Sequence, residues 1–117
     1  MHINEQIQHV ELSLDEAKKI VAFGEAIRRL ERNRDFQKVI LDGYFSEEAK
    51  RLTFLTADPA IDEKTAQATW GDIRAIGALR MFLFNRKSFA EIAAKEVADH
   101  METLEELRAE EAETEEA

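Results

Sequence analysis

Three histidines, His2, His9 and His100, are the side chains best suited to metal binding or proton transfer, and none stands in a ligand spacing. Glu96 and His100 lie four residues apart and share one helix face. A zinc or iron ion held there would still need two or three ligands from elsewhere. Di-iron bundles use Glu-x-x-His twice, and this chain has no such pair. With no cysteine, thiolate metal sites, disulfides and thiol catalysis are excluded. Ser13, Ser46 and Ser88 read as helix caps and not as nucleophiles. Asp58, Asp62, Glu63 and Asp72 read as a turn, a cap and a solvated face, and no sequence feature places them in a cleft. No glycine-rich phosphate loop is present. The expectation is a protein without a catalytic residue, a metal or a cofactor.

Two sets of residues remain as binding candidates. The first is the basic cluster Arg28, Arg29, Arg32, Arg34 and Lys38, in which Arg28 and Arg32 stand one helical turn apart. Such a stripe suits phosphate or an acidic partner, but Glu25, Glu31 and Asp35 are interleaved with it and weaken the case for nucleic acid. The second is the apolar row Phe89, Ala93, Val97, Leu104 and Leu107, which with His100 between Val97 and Leu104 recurs at three- and four-residue steps. That is the narrow seam of a coiled coil, and it predicts a contact with a second copy.

Residues 1–12 show no clear period and read as an extended arm. Ser13 with Glu16 forms a capping-box pattern, so a first helix is predicted from there. Its apolar stripe is Leu14, Ala17, Ile20, Val21, Gly24, Ile27 and Leu30. Gly24 inside that stripe suggests a second backbone crossing close by, and Asn33 ends or bends the element. A short helix is predicted over 35–42, closed by Gly43 in a left-handed conformation. Ser46 then caps a third helix that buries Ala49, Leu52 and Leu55 and stops near Ala57, ahead of Pro59. Asp62 opens the last and longest segment, with Trp70, Ile73, Ile76, Gly77, Leu79, Leu83 and Phe84 as its stripe. Asn85-Arg86-Lys87-Ser88 interrupts that stripe without a proline, so a continuous helix is favoured over a restart at Ser88 and Glu91.

Charge is unevenly placed. Residues 102–117 hold eight glutamates and one arginine, which is −7 of the formal −9. The acidic character therefore belongs to a tail, predicted to fray into solvent past Leu107, and the body is nearly neutral. At 117 residues the chain is the size of one small domain. The division expected is an arm over 1–12, a helical bundle over 13–101 and an acidic tail over 102–117. No apolar run is long enough to span a membrane, and the first residues lack a signal-peptide pattern, so a cytoplasmic location is the expectation. The predicted fold is all-α: a small antiparallel bundle with a long C-terminal helix as a coiled-coil-like stem.

Asn33-Arg34-Asp35-Phe36, Val39-Ile40, Gly43-Tyr44-Phe45, Glu48-Ala49 and Arg51-Leu52 form one distinctive run, and Asp72-Ile73-Arg74-Ala75-Ile76-Gly77-Ala78-Leu79 another. Together they resemble a group of small helical proteins encoded by tailed bacteriophages, over about residues 14–107. The resemblance implies a phage context, a virion or assembly role and other phage proteins as partners, and it assigns no chemistry to any residue. From another class, the arginine cluster and acidic tail would suit a small phage regulator or inhibitor that binds a host protein or a nucleotide.

Overall fold

The computed structural model describes residues 2–116, and they are almost wholly helical. Helix α1 spans Ile3–Glu31 and a short α2 spans Arg34–Phe36. The chain then winds wider, as a π-helix over Gln37–Glu48, before α3 at Ala49–Thr56 and the 54-residue α4 at Glu63–Glu116. No strand occurs among the described residues, so the all-α expectation holds. The structure divides into two compact units, Met1–Glu25 with Arg86–Ala117 and Ala26–Asn85.

The first unit is an antiparallel pair made by the N-terminal part of α1 and the C-terminal part of α4. The inward residues of α1 are Ile3, Ile7, Val10, Leu14, Ala17, Val21 and Gly24, alternating at four and three residues. That alternation is a heptad seam. It corrects the reading of residues 1–12 as an extended arm: helix begins at Ile3, and the domain boundary drawn at residue 13 does not exist. Ser13 sits mid-helix and caps nothing at an end. Burial of Ile3, Ile7 and Val10 outweighs the local capping signal, which in any case is worth only about 1 kcal/mol. Gly24 meets the expectation of a close crossing. A Cβ placed on it would overlap the Cβ of Ala90, and the Arg86 carbonyl oxygen lies 3.6 Å away.

In the second unit the predicted breaks at Gly43 and Ser46 are absent. Asn33 follows the end of α1, as expected, and also caps the short helix, its Oδ1 accepting from the Phe36 N–H at 3.0 Å. From there the backbone continues without a stop to Thr56. No glycine or other residue among those described has a positive φ, so Gly43 is not a left-handed helix end. Its lack of a side chain serves the wide winding instead, since a Cβ there would lie 3.1 Å from the Lys38 carbonyl oxygen. Leu52 is buried in α3, the expected Ala49 and Leu55 are half-buried, and Phe54 is exposed. Asp62 opens α4: its Oδ1 accepts from the Thr65 N–H at 2.7 Å, and its Oδ2 from the Thr65 hydroxyl at 3.0 Å.

Helix α4 runs through Asn85 unbroken, the continuous alternative of the two readings, and Ser88 therefore caps nothing. It also runs on to Glu116, which corrects the expectation of a frayed acidic end. Glu, Ala, Leu and Arg are strong helix formers, and nothing in 102–116 breaks the hydrogen-bond ladder.

The Gly24 crossing carries a paired test. Gly24→Ala is expected to lower the melting temperature, because overpacking of about 1–3 kcal/mol exceeds the propensity gain of about 1 kcal/mol. Gly71→Ala, where a Cβ would meet nothing within 4 Å, is expected to raise it. Thermal unfolding followed by circular dichroism reads both signs.

Candidate functional site: apolar faces of the long helix

Along α4 in the first unit, Ala90, Ala93 and Leu104 are buried and Val97 and Leu107 partly buried. Leu104 packs in one cluster with Ile7 and Leu14 of α1, and Val10, Val97 and Leu107 close around it. An Arg108 Nη2 to Glu11 Oε1 bridge of 3.0 Å spans the same two helices. Both side chains are solvated, so the pair marks the antiparallel register more than it adds stability. The seam drawn from the sequence as Phe89, Ala93, Val97, Leu104 and Leu107 is thus mostly covered by the chain's own α1. Phe89 alone of the five is exposed, at 49%. What hid this was the reading of residues 1–12 as an arm, which removed the partner helix from view.

The basic residues Arg28, Arg29, Arg32, Arg34 and Lys38 all lie in the second unit and all are exposed. Arg28 and Arg29 occupy the last turn of α1, where cations favour the negative end of the helix dipole. Arg32 Nε donates to the Arg28 carbonyl at 3.3 Å, and Gln37 Nε2 donates to the Glu31 carbonyl at 2.8 Å. These contacts satisfy carbonyls that the helix end leaves without intrahelical partners. The cluster therefore has a local structural use, and Arg34 and Lys38 sit beyond it on α2 and the π segment.

Groups with shifted ionisation are caps and surface pairs. Hydrogen bonds from the Thr65 backbone and hydroxyl hold Asp62 below its ordinary range. The hydrogen bond from Arg51 does the same for Glu48, and Arg51 is raised in turn. Among the described residues no group of three or more His, Cys, Asp or Glu is placed to hold a metal ion. His2 and His9 are exposed and His100 is half-buried on α4. The buried Thr69 hydroxyl is satisfied by the Thr65 carbonyl at 2.8 Å. No helix among the described residues is long and apolar enough to cross a membrane.

The unexplained feature is apolar surface left outside both cores. In the second unit, α4 buries Thr69, Ile76 and Leu83, one residue in seven. Trp70, Met81 and Phe84 on the same stretch stay 55%, 54% and 59% exposed. The sequence stripe from Trp70 to Phe84 predicts one face, but only the row Thr69, Ile76 and Leu83 is covered; Trp70, Met81 and Phe84 lie exposed on one flank of it, and Leu79 and Phe82 are less exposed on the other. No protein-family model, no curated protein and no solved structure matches this chain.

Two measurements check the arrangement. Leu104→Ala is expected to cost about 2–5 kcal/mol in urea unfolding. The double variant Leu14→Ala/Leu104→Ala should cost less than the two singles together, since the side chains share one cluster. For the cap, Asp62 has its folded pKa below the unfolded one. Its contribution is therefore complete above the ordinary aspartate range and is lost as pH falls through the folded value. Asp62→Ala should lower the melting temperature near neutral pH, and the gap from the native protein should close in acid.

Proposed function

We propose that this chain is a non-enzymatic structural or assembly protein that works through helix–helix contacts, in the setting of a tailed-phage particle. The observation that carries the reading is the exposed row of Trp70, Met81 and Phe84, which remains after each unit has formed its own core. Large apolar side chains grouped on one face of a helix mark a surface that meets another molecule. The contact moves from the row at Phe89 to Leu107, where the chain covers itself, to the row that it leaves open. Self-association and binding to other particle components are both of this kind. The phage setting rests on the resemblance carried by 33–52 and 72–79.

The alternative, a regulator that binds a host protein or nucleotide through Arg28, Arg29 and Arg32, is weaker. Part of that cluster is engaged in closing the end of α1.

Sedimentation equilibrium at micromolar concentration tests the reading. We expect a species of at least twice the 13.4 kDa chain mass. A strict monomer across that range overturns self-association. For the particle setting, peptides of this chain should appear in a mass-spectrometric inventory of purified virions at the level of a structural component. Their absence would confine the chain to a role outside the particle.

A further inference from the structure

The open row on α4 has an internal arrangement of its own. Each of its heptad positions follows a buried one: Trp70 after Thr69, Gly77 after Ile76, Phe84 after Leu83. One residue is about 100° of helix rotation, which turns these three away from the core while keeping them in line. Gly77 stands at the centre of the row. A Cβ on it would meet nothing within 4 Å, so no described residue uses the space that the glycine leaves. Glycine inside a helix is destabilising relative to alanine. At Gly24 the return is visible, because Ala90 occupies the space. At Gly77 the space is vacant, on an exposed face, between two aromatic residues.

The row is also symmetric about that glycine. Trp70 and Phe84 are each seven residues from it, and Ile73 and Met81 are each four. A two-fold contact is self-complementary: residue i of one copy meets residue j of the other, and j meets i. A pair of helices crossing antiparallel at Gly77 sets Trp70 against Phe84 and Ile73 against Met81, twice each. A parallel pair would bring every α4 residue level with its own counterpart, including the −7 of residues 102–116. The antiparallel pair avoids that repulsion.

The area suits a second copy. At 150–250 Å² for a whole aromatic side chain, the exposed fractions of Trp70, Met81 and Phe84 amount to roughly 350 Å² of apolar surface. A standard interface takes about 800 Å² from each partner, of which about 57% is apolar, or about 450 Å². Half-buried Ile73 and the open backbone at Gly77 make up much of the difference.

We infer that two copies of this chain associate through the Trp70, Gly77, Met81 and Phe84 face of α4, antiparallel, with the two-fold axis at Gly77. The inference rests on the reading of the chain as one that acts through helix–helix contacts, and it names the partner and the geometry. The native chain has no cysteine, so introduced thiols report cleanly. Under mild oxidation, a mixture of the Ile73→Cys and Met81→Cys chains is expected to give a disulfide-linked dimer in high yield, and each variant alone little. Gly77→Leu should raise the dimer dissociation constant at least tenfold by sedimentation. Gly71→Leu, at the other open glycine, should leave it unchanged, with native helix content by circular dichroism in both.

A native chain that stays monomeric would overturn both the self-association reading and this inference. A dimer that survives Gly77→Leu and shows no linkage between positions 73 and 81 would overturn only the placement. Efficient linkage of each variant to itself would show a parallel pair and overturn the antiparallel geometry.

Discussion

The first unit depends on how closely α1 and α4 can approach. At Gly24 the two backbones come within the reach of a single methyl group, with Ala90 filling the place where a side chain would stand. Ala17 and Ala93 are buried in the same pair, so small residues keep the helices near one another along much of the contact. Further toward the ends, larger residues take over, and Ile7, Leu14 and Leu104 form the cluster. Close approach brings many atoms within dispersion range, and the unit needs this because two helices cover only one side of each other.

That one-sidedness also explains the exposed surface. A helix in a two-layer arrangement buries a stripe of about two to four residues in seven, and the opposite arc stays wet. On the outer arc of most such helices the residues are charged. In α4 they are charged over 102–116, which fits a solvated helix end, but over 70–84 they include a tryptophan, a methionine and a phenylalanine. The proposed contact surface lies at the apolar end of this contrast; Phe89, Ile92 and Met101, also exposed, lie between the two stretches. The acidic end adds net charge that opposes indiscriminate aggregation, a useful counterweight to the exposed aromatic row.

Several parts of the fold were legible from residues whose chemistry acts locally. Asp62 marks a helix start because its side-chain oxygens can satisfy a backbone N–H, and they do so; Asn33 marks the end of α1 in the sequence, and its Oδ1 also caps the short helix that follows. Pro59 follows the end of α3 for the steric reason that proline restricts the residue before it. Gly24 was legible as a crossing. Ser13 and Gly43 misled for the same physical reason in opposite directions. Each carries a local signal, a cap and a helix stop, that tertiary packing or continued hydrogen bonding can override. The heptad alternation from Ile3 to Gly24 was the stronger signal, and it was visible only if the pattern was followed back through Ser13. On α4, Thr69-Ile76-Leu83 and Trp70-Gly77-Phe84 share the same seven-residue step, so periodicity alone could not say which row the chain would cover.

Trp70 is the single tryptophan of the chain and sits in the open row, so its fluorescence reports the central claim directly. Emission should be blue-shifted at tens of micromolar, where the indole is covered by another copy, and should move to the red on dilution to nanomolar concentration. Emission that is red and invariant over the whole range would show an indole always in water, and would contradict the claim that this face is a contact between chains.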